Sequence, residues 1–209
     1  VPKVKPEILA HLSKDKKLKA VIEKQGVISY TTHSDLYTSL LSSIVSQQLS
    51  VKAADTIWNR FAGLFPNQDP LPRLVLKKTP EQLRAVGLSF QKAGYIQNIA
   101  RFAIDHGFDH AVLKKMDDDE LVEHFTQIKG VGKWTVQMLL MFTMGRMDVF
   151  PEDDLGIQMG IKKIYGLSSE KKELKADMHR IAAKWSPYRT IACRYVWKHK
   201  DNTPSVKKK

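Results

Sequence analysis

The stretch Ile128-Lys129-Gly130-Val131-Gly132-Lys133-Trp134-Thr135, then an apolar run to Phe150, then Pro151-Glu152-Asp153-Asp154, decides how this chain is read. Two glycines one residue apart make a tight turn, because glycine adopts torsions that other residues resist. The turn opens a helix, whose first amides and dipole favour a phosphate. Lys133 stands where its ammonium could assist. The same residues also fit a plain joint between two helices with a glycine cap. The acids have an ordinary use too, as caps at the positive end of the next helix. The sharper alternative is a turn that holds a nucleic-acid phosphate and a carboxylate that does chemistry beside it.

The rest of the chain sets bounds. It has 209 residues, enough for one large domain or two small lobes with a real core. Hydrophobic residues make up 43%, which excludes disorder as the class. The net charge of +12 suits a polyanionic partner, and equally a basic soluble surface. The lone Cys193 permits no internal disulfide, no multi-thiolate zinc site and no four-cysteine cluster, so the chain reads as intracellular. The seven histidines show no metal spacing. The longest apolar stretch, 136–150, is interrupted by Gln137, Gly145, Arg146 and Asp148, so no membrane span is expected.

Periodicity predicts an all-α protein. Pro6 to Lys24 reads as one helix, and Leu36 to Gly63 as one or two. Thr79-Pro80-Glu81 starts a helix that ends at Gly87. Ser89 caps the next, which runs to His106 and stops at Gly107. Further helices are expected from Asp117 to before Lys129, and over Gly132–Met144, Leu155–Tyr165, Glu170–Lys184 and Pro187–His199. Val27 to Tyr30 is the one short β-like run. Trp58 and Trp185 read as packing residues.

The turn and its flanks resemble the helix-hairpin-helix/glycine-proline-aspartate superfamily of DNA base-excision glycosylases, and within it the 3-methyladenine DNA glycosylase II family. The resemblance rests on 128–135, on Asp148-Val149-Phe150-Pro151 with Asp153-Asp154, on Ile44 to Ala54, and on Gly87-Leu88-Ser89 with Lys92 and Tyr95. It spans 36–197 and implies a two-lobed helical fold with the active-site cleft between the lobes. The expected division is 1–34 (an N-terminal segment packing with the C-terminal lobe), 35–125 (a helical lobe), 126–200 (hairpin, catalytic aspartate and C-terminal helices) and 201–209 (a basic tail). The implied activity is excision of alkylated purines from double-stranded DNA in base excision repair. The substrates would be 3-methyladenine, 7-methylguanine or ethenoadenine. The resemblance further implies a monomer acting with DNA inside the cell, without a cofactor or metal centre, with a monovalent cation at the hairpin as the one structural ion it allows.

The resemblance also assigns residues. The motif aspartate precedes an isoleucine by three positions, and Asp154-Leu155-Gly156-Ile157 fits, so Asp154 is the catalytic residue. Asp153 is then a cap or supporting acid, and Glu152 faces solvent. Breaking an N-glycosidic bond builds positive charge on the sugar, which a carboxylate can stabilise while it orients the attacking water. Bifunctional relatives carry a lysine where this chain has Trp134; Lys133 lies one residue earlier, roughly 100° around the helix. That implies hydrolysis without strand cleavage. Trp134 and Trp197 match aromatics of the base pocket, where a π face attracts a cationic base by about 0.5–2 kcal/mol. Met138 replaces a pocket tyrosine. Gly130, Val131, Gly132, Lys133 and Thr135 would grip DNA. Gln47, Gln48 and Leu49 lie on the helix at the DNA face, with Gln48 as the residue filling the gap left by the flipped base and Leu49 as the alternative. Ser89 and Lys92 would contact phosphate, although Ser89 also serves as a plain cap. Two other readings stay open: a glycosylase for a different damaged base, and a non-catalytic DNA-binding module.

Overall fold

The computed structural model describes residues 2–30 and 35–201. The basic tail expected at 201–209 lies, from residue 202, outside the described residues. Contacts divide the chain into Val1–Thr32 with Gly145–Lys209, and His33–Met144. The sequence places the division near residue 125. The hairpin and the helix after it instead belong with the middle unit, because Leu121, Phe125, Val136, Leu139 and Leu140 are buried together with its core. The N-terminal segment falls in one unit with the C-terminal helices.

Among the described residues the N-terminal segment forms α1 (Pro6–Leu12) and α2 (Lys16–Gln25). One continuous helix was the expectation. Asp15 breaks it by capping α2, accepting from the Lys17 and Leu18 amides at 3.0 and 3.2 Å. The β-like run gives only an isolated antiparallel bridge between Lys3 and Ser29. Pro2 lacks an amide donor and Pro6 begins a helix, so the partner segment is too short to extend the ladder.

The middle unit runs through α3 (Leu36–Ser46), α4 (Val51–Ala62), a short α5 (Pro72–Val75), α6 (Pro80–Ala85), α7 (Phe90–His106), a short α8 (His110–Leu113), α9 (Asp118–Thr126) and α10 (Lys133–Phe142). Caps set the boundaries. Thr79 and Gln82 bond each other's backbone reciprocally at the start of α6, as do Asp117 and Glu120 at α9. Ser89 caps α7, and Gly107 ends it. Leu40, Leu41, Ile44, Phe61, Leu83, Ile96, Ile99, Leu121 and Phe125 form a core with no measurable exposure.

The other unit adds α11 (Leu155–Tyr165), α12 (Lys171–Ala182) and α13 (Arg189–Asp201), with a 3-10 turn at Ala183–Trp185. Trp185 is fully buried, as the sequence suggests. Gly160 lets α13 close on α11: a Cβ there would lie 2.4 Å from Val196 Cγ1. Among the described residues no helix is long and apolar enough to cross a membrane.

Asp15 ties the ends of this unit together. Its second oxygen accepts from the Tyr165 hydroxyl at 2.6 Å and from Trp185 Nε1 at 3.4 Å. Burial, then Asp15, push the Tyr165 phenol above its ordinary range. Asp15→Ala removes a helix cap and strands a half-buried hydroxyl. Urea denaturation should show a loss of about 2–3 kcal/mol.

Candidate nucleic-acid interface and active site

Asp154 is the last residue of a turn that begins at Pro151, whose carbonyl accepts from the Asp154 amide at 3.0 Å. Its Oδ1 accepts from the Ile157 amide at 2.8 Å and from Trp197 Nε1 at 2.8 Å. Asp154 is therefore the N-cap of α11 itself, the role expected of Asp153. Asp153 instead pairs with Lys175. Glu152, expected to face solvent, is mostly covered and lies 2.6 Å from His179 Nε2. The Asp-x-x-Ile spacing has a plain reason: the cap oxygen reaches the amide three residues on.

Two N–H donors on one oxygen fix the plane of the Asp154 carboxyl. Gly156 makes this possible, because a Cβ there would stand 3.0 Å from both Asp154 Oδ1 and Trp197 Cδ1. Sequence reading passes over Gly156, since only the path of α13 reveals the crowding. Trp197 is thus joined to Asp154 through its indole N–H.

The loop that delivers Asp154 is clasped to the start of α13. Asp148 takes two bonds from the Arg189 guanidinium, at 2.8 and 2.9 Å, one from the Arg189 amide at 3.2 Å, and one from Ser186 Oγ at 2.8 Å. Buried Thr190 donates to the Arg146 carbonyl at 2.7 Å and accepts from the Val149 amide at 3.1 Å. Burial pushes the Asp148 carboxyl up, but the Arg189 and Ser186 bonds outweigh it and hold it below the ordinary range.

In the other unit, Gly130 has φ +107°, and a Cβ would fall 2.1 Å from Cγ of Tyr95. Glycine is required there by torsion and by space. Gly132 caps α10 without a side-chain partner, and nothing lies within 4 Å of where its Cβ would be. The turn is open at Gly132. Val131 is buried, and its amide donates to the Ile128 carbonyl at 2.9 Å, so it shapes the turn from within. Lys133 is exposed at the first position of α10. Thr135 was expected at the DNA; it is buried, and its hydroxyl is 3.5 Å from Gln47 Nε2. Trp134 is 40% exposed, more than a packing tryptophan would be.

Gln47, Gln48 and Leu49 do not lie on a helix. α3 ends at Ser46, and the three form the connection to α4. Gln48 is left-handed (φ 59°) and exposed, and Leu49 is 38% exposed instead of entering the core. Lys92 does not point to solvent for a phosphate; its ammonium donates to the Val45 and Gln47 carbonyls, each at 2.7 Å. Ser89 accepts from the Lys92 amide at 3.2 Å, the plain cap already considered.

Met138 lines a cavity of about 510 Å³ among α3, α4 and α10. Asp35, Thr38, Ser42 and Ser46 line it with polar groups; Trp58 and Phe142 are apolar lining. Trp58 thus does more than pack on Phe61, which the sequence pattern does not reveal. Among the described residues no cluster of three or more His, Cys, Asp or Glu side chains could hold a metal.

The fold and these sites define a class. Residues 41–186 match the HhH-GPD superfamily of base excision DNA repair proteins, and the chain belongs to that superfamily. Within it, the chain belongs with the 3-methyladenine DNA glycosylases. It is 33% identical to the alkylbase DNA glycosidase-like protein mag2 of Schizosaccharomyces pombe, over 90% of each chain. Its structure is similar to the DNA-3-methyladenine glycosidase of Bacillus halodurans, with a TM-score of 0.85, 33% identity, and 97% and 94% of the two chains covered. It is also similar to the 3-methyladenine DNA glycosylase Mag1 of S. pombe in complex with abasic DNA, with a TM-score of 0.83, 32% identity, and 93% and 97% covered.

The clasp carries a pH dependence. The folded pKa of Asp148 is depressed, so its stabilisation is complete above the unfolded value of about 3.9 and is lost as pH falls through the folded value. Asp148→Asn should lower the melting temperature at neutral pH. Between about pH 5 and pH 2 the melting temperature of the variant should fall less steeply than that of the parent, as followed by circular dichroism.

Proposed function

We propose that this chain is a monofunctional DNA glycosylase of base excision repair, hydrolysing the N-glycosidic bond of alkylated purines after flipping the nucleotide. The observation that carries the proposal is the Asp154 carboxyl, held by the Ile157 amide and the Trp197 indole. Capping α11 accounts for the Ile157 bond, and a role in chemistry gives a reason for the Trp197 bond as well. As the bond breaks, positive charge develops on the sugar, and Asp154 stabilises it and orients water for attack. An N3- or N7-alkylated purine already carries a positive charge, so it leaves with little help from an acid. Trp134 and Trp197 offer π faces to that cation. Met138, in place of a tyrosine, would line the base pocket. Gln48, with Leu49 as the alternative, would fill the gap in the duplex. The hairpin at Gly130 to Lys133 would hold the backbone. Water is the nucleophile, so no cofactor enters the chemistry; a monovalent cation at the hairpin is the one ion this reading accommodates. The protein would act as a monomer on double-stranded DNA within the cell.

Asp154→Asn separates chemistry from capping, because asparagine is an equally good helix cap. Abasic-site formation should be measured on duplexes carrying N-methylated purines, ethenoadenine, hypoxanthine or 8-oxoguanine. The parent should release the alkylated bases, and Asp154→Asn should be slower by a factor on the order of 10²–10³ with an unchanged melting temperature. Equal rates would remove Asp154 from the chemistry. Release of only the oxidised base would transfer the chain to another substrate class.

With Trp134 at the lysine position, borohydride added during turnover should trap no covalent protein–DNA adduct. A strong adduct would show a lyase.

A further inference from the structure

α3 reaches its C-terminus at Ser46 with Gln47 as its capping residue, in an extended conformation that offers no backbone amide to the last turn. Its final carbonyls therefore need other donors. The Ser43 carbonyl is met by Ser46 Oγ at 3.0 Å, and the Ser46 carbonyl by the Leu49 amide at 3.1 Å. The carbonyls of Val45 and Gln47 are met by one group from elsewhere in the chain, the ammonium of Lys92. A cation there also complements the negative end of the helix dipole.

The next residue, Gln48, has left-handed torsions that a side chain with a Cβ adopts rarely. Such a conformation persists when its surroundings over-determine it. Here Lys92 grips the carbonyls on both sides of the bend, and Ser50 starts α4 directly afterwards. The result is an exposed Gln48 and a part-exposed Leu49 at the tip of a short, fixed connection.

Lys92 acts from a helix that also sets the hairpin. One turn along α7, the Tyr95 ring occupies the space left by Gly130, and a further turn along, Asn98 Nδ2 donates to the Lys129 carbonyl at 3.1 Å. One side of α7 thus holds both the connection at 47–49 and the turn at 130–132.

We propose that Lys92 is a positioning residue for base excision: its ammonium clamps the end of α3 so that Gln48 and Leu49 stand ready to enter the duplex. This rests on the reading that the 47–49 connection inserts into DNA. Two of the three donors of Lys92 are used inside the protein, which favours positioning over phosphate contact. Burial pushes its pKa below the usual lysine range, in keeping with an ammonium withdrawn from water.

The test uses a duplex with a tetrahydrofuran abasic analogue beside 2-aminopurine, whose fluorescence rises when it is unstacked. The whole chain and its Lys92→Met, Lys92→Gln and Lys92→Arg variants are compared. Their folding is checked by circular dichroism, and Lys92→Gln, which keeps two amide donors, serves if Lys92→Met does not fold. The parent should give a clear rise. Lys92→Met should reduce it at least threefold and slow single-turnover release of an alkylated purine at least tenfold. Lys92→Arg should restore more than half of both. Affinity for undamaged duplex should stay within twofold, with the same salt dependence. Three outcomes overturn the proposal: no rise with the parent, fluorescence and release within twofold of the parent in Lys92→Met or Lys92→Gln, or a loss of affinity for undamaged duplex with the salt slope reduced by about one. If the parent unstacks 2-aminopurine but releases no alkylated base, the glycosylase reading fails. The fluorescence of the variants then still decides the role of Lys92.

Discussion

The close approach allowed by missing side chains is the constraint on which the functional elements depend. At Gly130 the Tyr95 ring takes the place of a Cβ, and this contact fixes the turn. At Gly156 the Trp197 indole comes near enough to share an oxygen of Asp154 with the helix cap. At Gly160 the same helix pair closes again through Val196. Interiors pack so densely that a single methyl at such points must displace its neighbours. In each unit, therefore, a glycine on one element is read by a large side chain on another.

Asp154 joins a helix cap and a tryptophan through one carboxyl oxygen. Its Oδ1 caps α11 and takes the Trp197 N–H, so the group cannot rotate without losing both bonds. The capping bond alone is worth about 1 kcal/mol in a typical helix. Together the two bonds also fix how the carboxyl is oriented, which is what the proposed role in charge stabilisation requires. The Asp148–Arg189 clasp and Thr190 extend that fixation backwards along the loop. Asp153 and Glu152, although adjacent, are engaged by α12 through Lys175 and His179.

Much of the fold was legible because its signals are local. Thr79, Ser89, Asp117 and Gly107 mark helix ends by chemistry that acts over a few residues. The break at Asp15 is equally local, but the apolar spacing runs through it and masks the cap. Short α5 and α8 escaped notice because four residues carry no periodicity. The boundary near residue 125 was misplaced for a different reason: which unit receives the hairpin depends on where Val136 and Leu139 are buried, and no composition shift marks it.

For the site, the sequence by itself determined the residue types and their spacing: the paired glycines, Asp154 three residues before Ile157, a tryptophan in place of a lysine, and glutamines between α3 and α4. These follow from local torsion, local capping and motif. Only the tertiary structure decided which neighbour does what. It made Asp154 the cap, turned Thr135 and Val131 inward, and set Gln48 on a bend instead of a helix. It also drew Lys92 from an expected phosphate contact to two carbonyls far away in sequence. The physical reason is that a buried donor or acceptor must be satisfied by whatever group packing brings to it, and that partner is written nowhere in the residues on either side.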